Sequence, residues 1–409
     1  MSDPSPSLHL RQRLRRGRDR LATALITAGG IGVIAALLAI GVFLVVEVVP
    51  LFWSTPTDTG HEVSWRALWL PQSYEGYDAP QHRWQPTVTS AEERPQYGMT
   101  PLVWGTLKAA AWALVIAVPL ALGAAIHSAM FMSRRLRSRI KPTLELMEAL
   151  PGVVIGFIAG LVLAPWVERH LAGVLALVVL LPPGVLIAGW GWTRLPVRLR
   201  RCLPLGWAGL WLEPWLLLLV AAALGLAPWL EAGWFGGDLR GWLELRLGLD
   251  YASRNAMIVG LAMGFAVMPS VYALAEDALS GVPGSLGEGA QAMGATRWQT
   301  LWKVVLPAAS PGVFSAVMIG AGRAVGETMI VLMASGNTAL MTLSPFDGMR
   351  SMAASIAIEL PEAAFGGTHY RLLLLAALAL FVFTFLVNTL AEVVRARLRH
   401  RYRRLGGAP

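Results

Sequence analysis

The chain has 409 residues, of which 55% are hydrophobic and only 14% charged, too apolar and too poor in charge for a soluble globular domain. Its formal net charge of +9 does not point to nucleic acid, because the arginines gather beside long apolar runs. A single cysteine, Cys202, excludes an intrachain disulfide framework and a multi-cysteine metal site.

Runs of membrane length organise the chain, since one bilayer crossing takes about 20 residues. Eight spans are predicted, at 23–46, 100–126, 144–166, 171–192, 208–230, 254–275, 311–334 and 371–394. The first follows an arginine-rich head, Arg11 to Arg20. It is too long for the core of a signal peptide and lacks a small-residue cleavage pattern, so it reads as a retained anchor. Leu181-Pro182-Pro183-Gly184 interrupts span four and Glu213-Pro214 span five. Membrane helices tolerate such residues, and the two either cross or form a re-entrant pair. The resulting division is a basic N-terminus at 1–20, an anchor at 21–53, an outer loop at 54–98, a membrane domain at 99–394 and a basic tail at 395–409. Within the membrane domain, 167–252 is an inserted hairpin and 276–310 a polar loop. The proline-rich start, Met1 to Ser7, is expected to be disordered.

Lysine and arginine mark the cytoplasmic side of short loops. Arg134, Arg135, Arg137, Arg139 and Lys141 lie between spans two and three. Arg194, Arg198, Arg200 and Arg201 lie between spans four and five, and six arginines from Arg395 to Arg404 occupy the tail. All share the side of the N-terminus if every span crosses. A multi-pass inner-membrane protein with both termini cytoplasmic is therefore expected. The 54–98 loop has more acids than bases and faces outward. Omitting spans four and five leaves the parity unchanged.

The polar loop between spans six and seven carries its own helix code. Ser285 and Glu288 form a capping box that should start a short helix. Gly294 suits the left-handed corner that ends one. Thr296 and Gln299 form a second box, and Pro307 is expected to stop the second helix. Trp298, Leu301, Trp302 and Val305 recur on one face. Two short helices around a glycine corner suit a groove on a partner; the alternatives are a solvated loop and a helix-turn-helix that reads DNA.

Span seven contains Arg323 and Glu327 four residues apart, expected on one helix face. A charge near the bilayer centre costs about 2.5–3.5 kcal/mol on insertion scales and usually faces a partner or a water-filled path. The pair either neutralises itself for packing or forms a polar patch on a translocation route. A guanidinium fork favours phosphate or carboxylate oxygens. Gly320, Gly322 and Gly326 permit close helix approach. Beyond the span, Ser344, Pro345 and Asp347 read as the first turn of an outward-facing amphipathic helix, with Phe346, Met349, Met352 and Ala353 on one side. That helix either plugs the path, meets a partner protein on the outer side or packs on the bundle. Lys108 and His127 mark the ends of span two, with a packing or interfacial role favoured for Lys108 over an anion contact. Glu145 and Glu148 begin span three, as first-turn acids or as contacts of a gate on the side of the 276–310 loop. His369 reads as an interfacial histidine, and no spacing supports a metal cluster.

Two stretches carry a resemblance. EGAQAMGATRWQTLWKVVLP resembles the cytoplasmic "EAA" loop of ABC-importer permeases, in which Glu-Ala-Ala is followed by three residues, Gly, nine residues and Ile-x-Leu-Pro. Glu288, Ala290, Gly294, Leu306 and Pro307 match, Val304 stands for the Ile, and Gly289 replaces the first Ala. GRAVGETMIVLMASGN resembles the corresponding span of phosphate-specific permeases, the PstC type more than the PstA type. The similarity runs from about Gly98 to Arg401, and the inserted pair exceeds the family's core.

The resemblance implies an all-α polytopic transmembrane bundle of the type I ABC-importer permease fold, six core spans plus the inserted pair. It implies phosphate passage at Arg323 and Glu327. It implies coupling through Glu288, Gly289, Ala290, Gly294, Leu306 and Pro307 to an ABC ATPase dimer. A homologous permease would stand beside this one, and an extracytoplasmic phosphate-binding protein would deliver the solute. Membrane lipid surrounds the chain, and nucleic acid is not expected as a partner. No cofactor is expected on the chain itself. Its three lysines, Lys108, Lys141 and Lys303, do not follow glycine as a P-loop requires, so ATP hydrolysis is assigned to a separate ATPase. Rival readings are a permease for another oxyanion or small solute, a noncatalytic signalling scaffold, and a membrane enzyme.

Overall fold

Eight helices long and apolar enough to cross a membrane occur among the described residues. The computed structural model describes residues 6–53, 65–73, 79–86, 95–202 and 212–403, with side chains at 6–17, 53, 201 and 398–403 left aside. Residues 1–5 of the proline-rich start, much of the 54–98 loop, the beginning of expected span five and Arg404 of the tail lie outside the described residues.

In chain order, α1 (Pro6–Val48) and the one-turn α2 (Pro50–Trp53) precede a small cap of α3 (Trp65–Trp69), β1 (Trp84–Gln85) and β2 (Gln96–Tyr97). The two strands pair antiparallel, Trp84 opposite Tyr97. There follow α4 (Thr100–Met130), α5 (Arg134–Met147), and α6 (Gly152–Ile158), which a π-helical turn joins to α7 (Ala164–Arg169). Next come α8 (Leu171–Arg194), α9 (Val197–Cys202), α10 (Glu213–Trp234), α11 (Leu239–Leu247) and α12 (Ala256–Ser280). The last part holds α13 (Gly284–Ala292), α14 (Arg297–Thr300), a π-helical turn (Leu301–Val305), α15 (Leu306–Gly326), α16 (Met329–Ala334), α17 (Met352–Glu359) and α18 (Thr368–Arg403).

Small residues decide which helices meet. Lipid tails are as apolar as leucine, so close backbone approach, not hydrophobicity, drives association. Ala109, Ala113, Ala117, Ala121 and Ala125 recur every fourth residue of α4, and all are buried. Gly260 of α12 lies against Trp112, and Gly264 against Ala113 and Ile116. Farther along, Tyr272 donates its hydroxyl to Ser128 Oγ at 2.9 Å. Residue numbers rise together on both helices, so α4 and α12 run parallel. Gly312 and Gly320 of α15 meet Ala278 and Val271 of α12, an antiparallel pairing. A third stripe, Gly152, Gly156 and Gly160, seats span three on residues 327–334; Gly156 faces the backbone of Met329 and Ile330, and Gly160 that of Met333.

The inserted pair stands apart. Gly173 and Gly184 of α8 meet Leu224 and Leu219 of α10, and Trp215 Nε1 donates to the Gly184 carbonyl at 2.9 Å. This is an antiparallel hairpin whose two members chiefly pack on each other. Pro182 and Pro183 sit inside α8 without breaking it. Arg240 on α11 bonds Glu168 on α7 at 2.9 Å, which pins the hairpin's two ends together.

Several expectations are corrected. Span three begins at Gly152, because the charged stretch before it forms its own helix, α5, capped by Ser133, whose Oγ accepts from Leu136 N at 3.4 Å. Glu145 therefore lies in α5 and Glu148 is its C-cap, so neither is a first-turn acid of the span. Lys108 does not sit at the end of span two. It lies two turns inside α4, only 6% exposed, and donates to Thr342 Oγ1 at 3.3 Å, which is packing within the bundle and not an interfacial position. Ser351, not Ser344, caps the outer helix, accepting from Ala354 N at 3.2 Å. The residues between them form turns and bends, and Ser344 Oγ accepts from Phe346 N. Phe346, Met349, Met352 and Ala353 are all buried, so this segment packs on the bundle. His369 also has a specific partner: its Nε2 hydrogen-bonds Glu359 Oε2 at 2.8 Å. Glu359 also accepts from Trp84 Nε1 at 3.0 Å and pairs with Arg350, tying the strand pair to α17 and α18. No group of metal-ligating side chains occurs among the described residues.

Candidate translocation site and docking segment

Arg323 and Glu327 do not share a helix face. α15 ends at Gly326, and Glu327 takes an extended conformation (φ −70°, ψ 122°) before the chain resumes as α16. The sequence here is Arg-Ala-Val-Gly-Glu-Thr, and a glycine next to a β-branched valine, with a β-branched threonine two residues on, weakens the helix. Non-helical backbone at membrane depth survives where protein or a water-lined cavity surrounds it, and broken helices of this kind recur at transporter sites. Glu327 Oε1 accepts from Ile330 N at 3.4 Å and so covers the start of α16. A side chain on Gly152 would crowd that same oxygen.

Arg323 pairs instead with Glu148, Nη1 to Oε1 at 2.8 Å. The same Nη1 donates to Ser270 Oγ on α12. Ser270 in turn donates to Glu148 Oε1 at 2.7 Å. Three elements thus meet at one guanidinium: α15, the α5–α6 corner and α12. The charges are half-exposed, with 33% of the arginine side chain and 45% of the glutamate side chain accessible. Of the three glycines expected to line this span, Gly320 packs on Val271 and Gly322 on Asn388, while Gly326 has open space.

The segment expected to dock a partner forms two helices around a corner. Gly294 adopts φ +90°, a left-handed conformation that side-chain-bearing residues resist. The second capping box is present, with Gln299 N on Thr296 Oγ1 at 3.2 Å and Thr296 N on Gln299 Oε1 at 2.9 Å. The first box is absent. α13 starts at Gly284 after Pro283, so Ser285 lies inside the helix and no side chain caps it. None of the α13 side chains is buried, Glu288, Gly289 and Ala290 included. Pro307 does not stop the second helix. The helix runs on from Arg297 to Gly326, and just ahead of Pro307 a π turn places Leu306 N on the Leu301 carbonyl, an irregularity of the ladder of the kind that accompanies proline inside a helix. The same turn splits the expected apolar face. Leu301 and Val305 are buried, whereas Trp298 and Trp302 are 59% and 52% exposed and pack edge to face at 5.7 Å.

A second charged cluster supports this end. Glu276, fully buried, accepts from Lys141 at 2.8 Å and pairs with Arg137. Lys141 also pairs with Asp277. Burial pulls the Lys141 pKa down, but the hydrogen bonds it donates to Asp277 and Glu276, with the charges of those two carboxylates, outweigh it, and the net shift is upward.

The family described as "Binding-protein-dependent transport system inner membrane component" matches residues 117–404. Among curated relatives, the "Probable ABC transporter permease protein YqgH" of Bacillus subtilis is 24% identical over 315 residues, 77% of this chain and 75% of its own length. The "Phosphate transport system permease protein PstC 1" of Mycobacterium tuberculosis is 29% identical over 300 residues, 72% of this chain and 71% of the relative. The same organism's "Phosphate transport system permease protein PstC 2" is 27% identical over 392 residues, covering 93% of this chain and 92% of the relative. With the match running through α4, the docking segment and the broken span, the chain belongs to the inner-membrane permease components of binding-protein-dependent ABC transport systems.

Proposed function

We propose that this chain is the permease subunit of an importer for inorganic phosphate. Its termini and the α13–α14 segment are cytoplasmic, and Arg323 is the contact for the passing anion. One observation carries this reading: at a break in a membrane helix, a half-exposed guanidinium is held by a carboxylate and a hydroxyl from two other elements. Such a fork is built for oxyanions. The names of the mycobacterial relatives favour phosphate among them. Glu327 shapes the break beside Arg323 and acts with it on the anion path. Glu288, Gly289, Ala290, Gly294, Leu306 and Pro307 belong to the surface and rod that engage a separate ABC ATPase dimer. A homologous permease completes the pore, and an extracytoplasmic binding protein delivers phosphate.

The test is ATP-dependent uptake by the complete importer in proteoliposomes. Arg323→Gln is expected to lower phosphate uptake by about 10- to 100-fold, the scale of a lost charged hydrogen bond, with insertion and assembly unchanged. Arg323→Lys recovers part of it, since an ammonium keeps charge without the fork. Near-normal uptake in assembled Arg323→Gln overturns the assignment. Wild-type uptake of sulfate in preference to phosphate assigns the site to another oxyanion.

A further inference from the structure

Glu148 fills the part of Arg323 that an incoming oxyanion needs. Its carboxylate oxygen accepts a hydrogen bond from Nη1 at 2.8 Å, its backbone carbonyl lies 3.5 Å from Nη2, and Ser270 donates to the same carboxylate oxygen at 2.7 Å. A carboxylate and a phosphate offer a guanidinium the same kind of acceptor, so the two exclude each other there. Glu148 is presented by the C-terminal end of α5. Farther back on α5, Arg137 and Lys141 are clamped to Glu276 near the end of α12. Helix α13 starts at Gly284, directly after that end. The element carrying Glu148 is therefore fastened where the docking segment departs.

We propose that Glu148 is a positioning residue that displaces phosphate from Arg323 on the cytoplasmic side, and that α5, clamped through Glu276, brings it up or withdraws it as the docking segment moves. The inference rests on the reading of Arg323 as the anion contact. Its consequence is one-way release: once Glu148 has closed on the guanidinium, cytoplasmic phosphate cannot return to it.

Equilibrium dialysis of radiolabelled inorganic phosphate against the assembled membrane complex, without ATP or binding protein, tests this directly. Glu148→Gln should bind phosphate at least about tenfold more tightly than wild type, because a charged competitor is replaced by a neutral one. Glu148→Asp should stay close to wild type, and Glu148→Gln with Arg323→Gln should lose the gain. Uptake by Glu148→Gln vesicles should also become inhibited by phosphate loaded inside. Ser270→Ala keeps both charges and removes one support, so a smaller gain of about two- to threefold is expected; it serves as the test if Glu148→Gln fails to assemble. Unchanged phosphate binding in the assembled variant overturns the proposal, as does a gain that survives loss of Arg323. Normal uptake in Arg323→Gln would instead sink the phosphate-contact reading, whereas lost uptake there with unchanged binding in Glu148→Gln sinks the displacement alone.

Discussion

Helices α12 and α10 are both apolar enough to cross a bilayer, yet they end in opposite surroundings. In the most apolar stretch of α12, 67% of residues are buried inside the chain; in that of α10, 11% are. What separates them is where small residues fall. α12 sets Gly260 against Trp112 and Gly264 against Ala113 and Ile116 of α4, and its Ala262 and Ala266 are buried as well. Gly225 and Gly233 of α10 face open space, and Leu217, Leu218 and Trp229 are exposed. In a membrane, leucine marks a surface that lipid can cover, while a four-residue rhythm of glycine and alanine marks an interface.

The contrast can be broken at its strongest point. A side chain on Gly105 of α4 would collide with the Arg350 carbonyl, so Gly105→Val should abolish the folded permease, seen as loss of the monodisperse peak after detergent extraction. Removing both cations of the clamp, Arg137→Ala with Lys141→Ala, strands the buried carboxylate of Glu276 and should cost about 3–5 kcal/mol, measurable as a lowered thermal midpoint in detergent. Excising residues 171–234 and joining the ends, which the Arg240–Glu168 bond already holds near each other, should leave insertion and uptake within about twofold, since the hairpin chiefly packs on itself. Gly225→Leu should change nothing measurable, because no atom lies within 4 Å of the added carbon. Smallest of all is the effect of pH on the clamp. Because the Lys141 pKa is raised, its contribution is complete below the ordinary lysine value of about 10.4 and fades only as pH climbs through the folded value. Thermal midpoints at about pH 7 and pH 9 should therefore show no loss from this pair.

The spans, the left-handed Gly294 and the second capping box were legible because each rests on neighbours in the chain. The pairing of Arg323 was not. A four-residue spacing suggested Glu327, but that inference holds only within continuous helix, and Gly326 ends it. The true partner, Glu148, arrives from an element far away in sequence. Glu276 was visible as an acid at the end of an apolar run, yet its cations sit on α5. The glycine triplet 152, 156 and 160 stood in plain view and carries the seat of the broken helix. Pro307 misled for a local reason: proline ordinarily stops a helix, but here the helix continues past it, and the π turn before it could not be read from residue types.

The parallel pairing of α4 with α12 has a consequence for how the protein is made. No short loop joins two parallel spans, and here three other spans emerge between them. The alanine stripe of α4 must therefore wait in the bilayer, facing lipid or a temporary companion, until Ser280 has left the ribosome. Contacts so distant along the chain form late and close slowly. The centre of the molecule is thus among the last parts to assemble, and the self-packed hairpin can be finished before it.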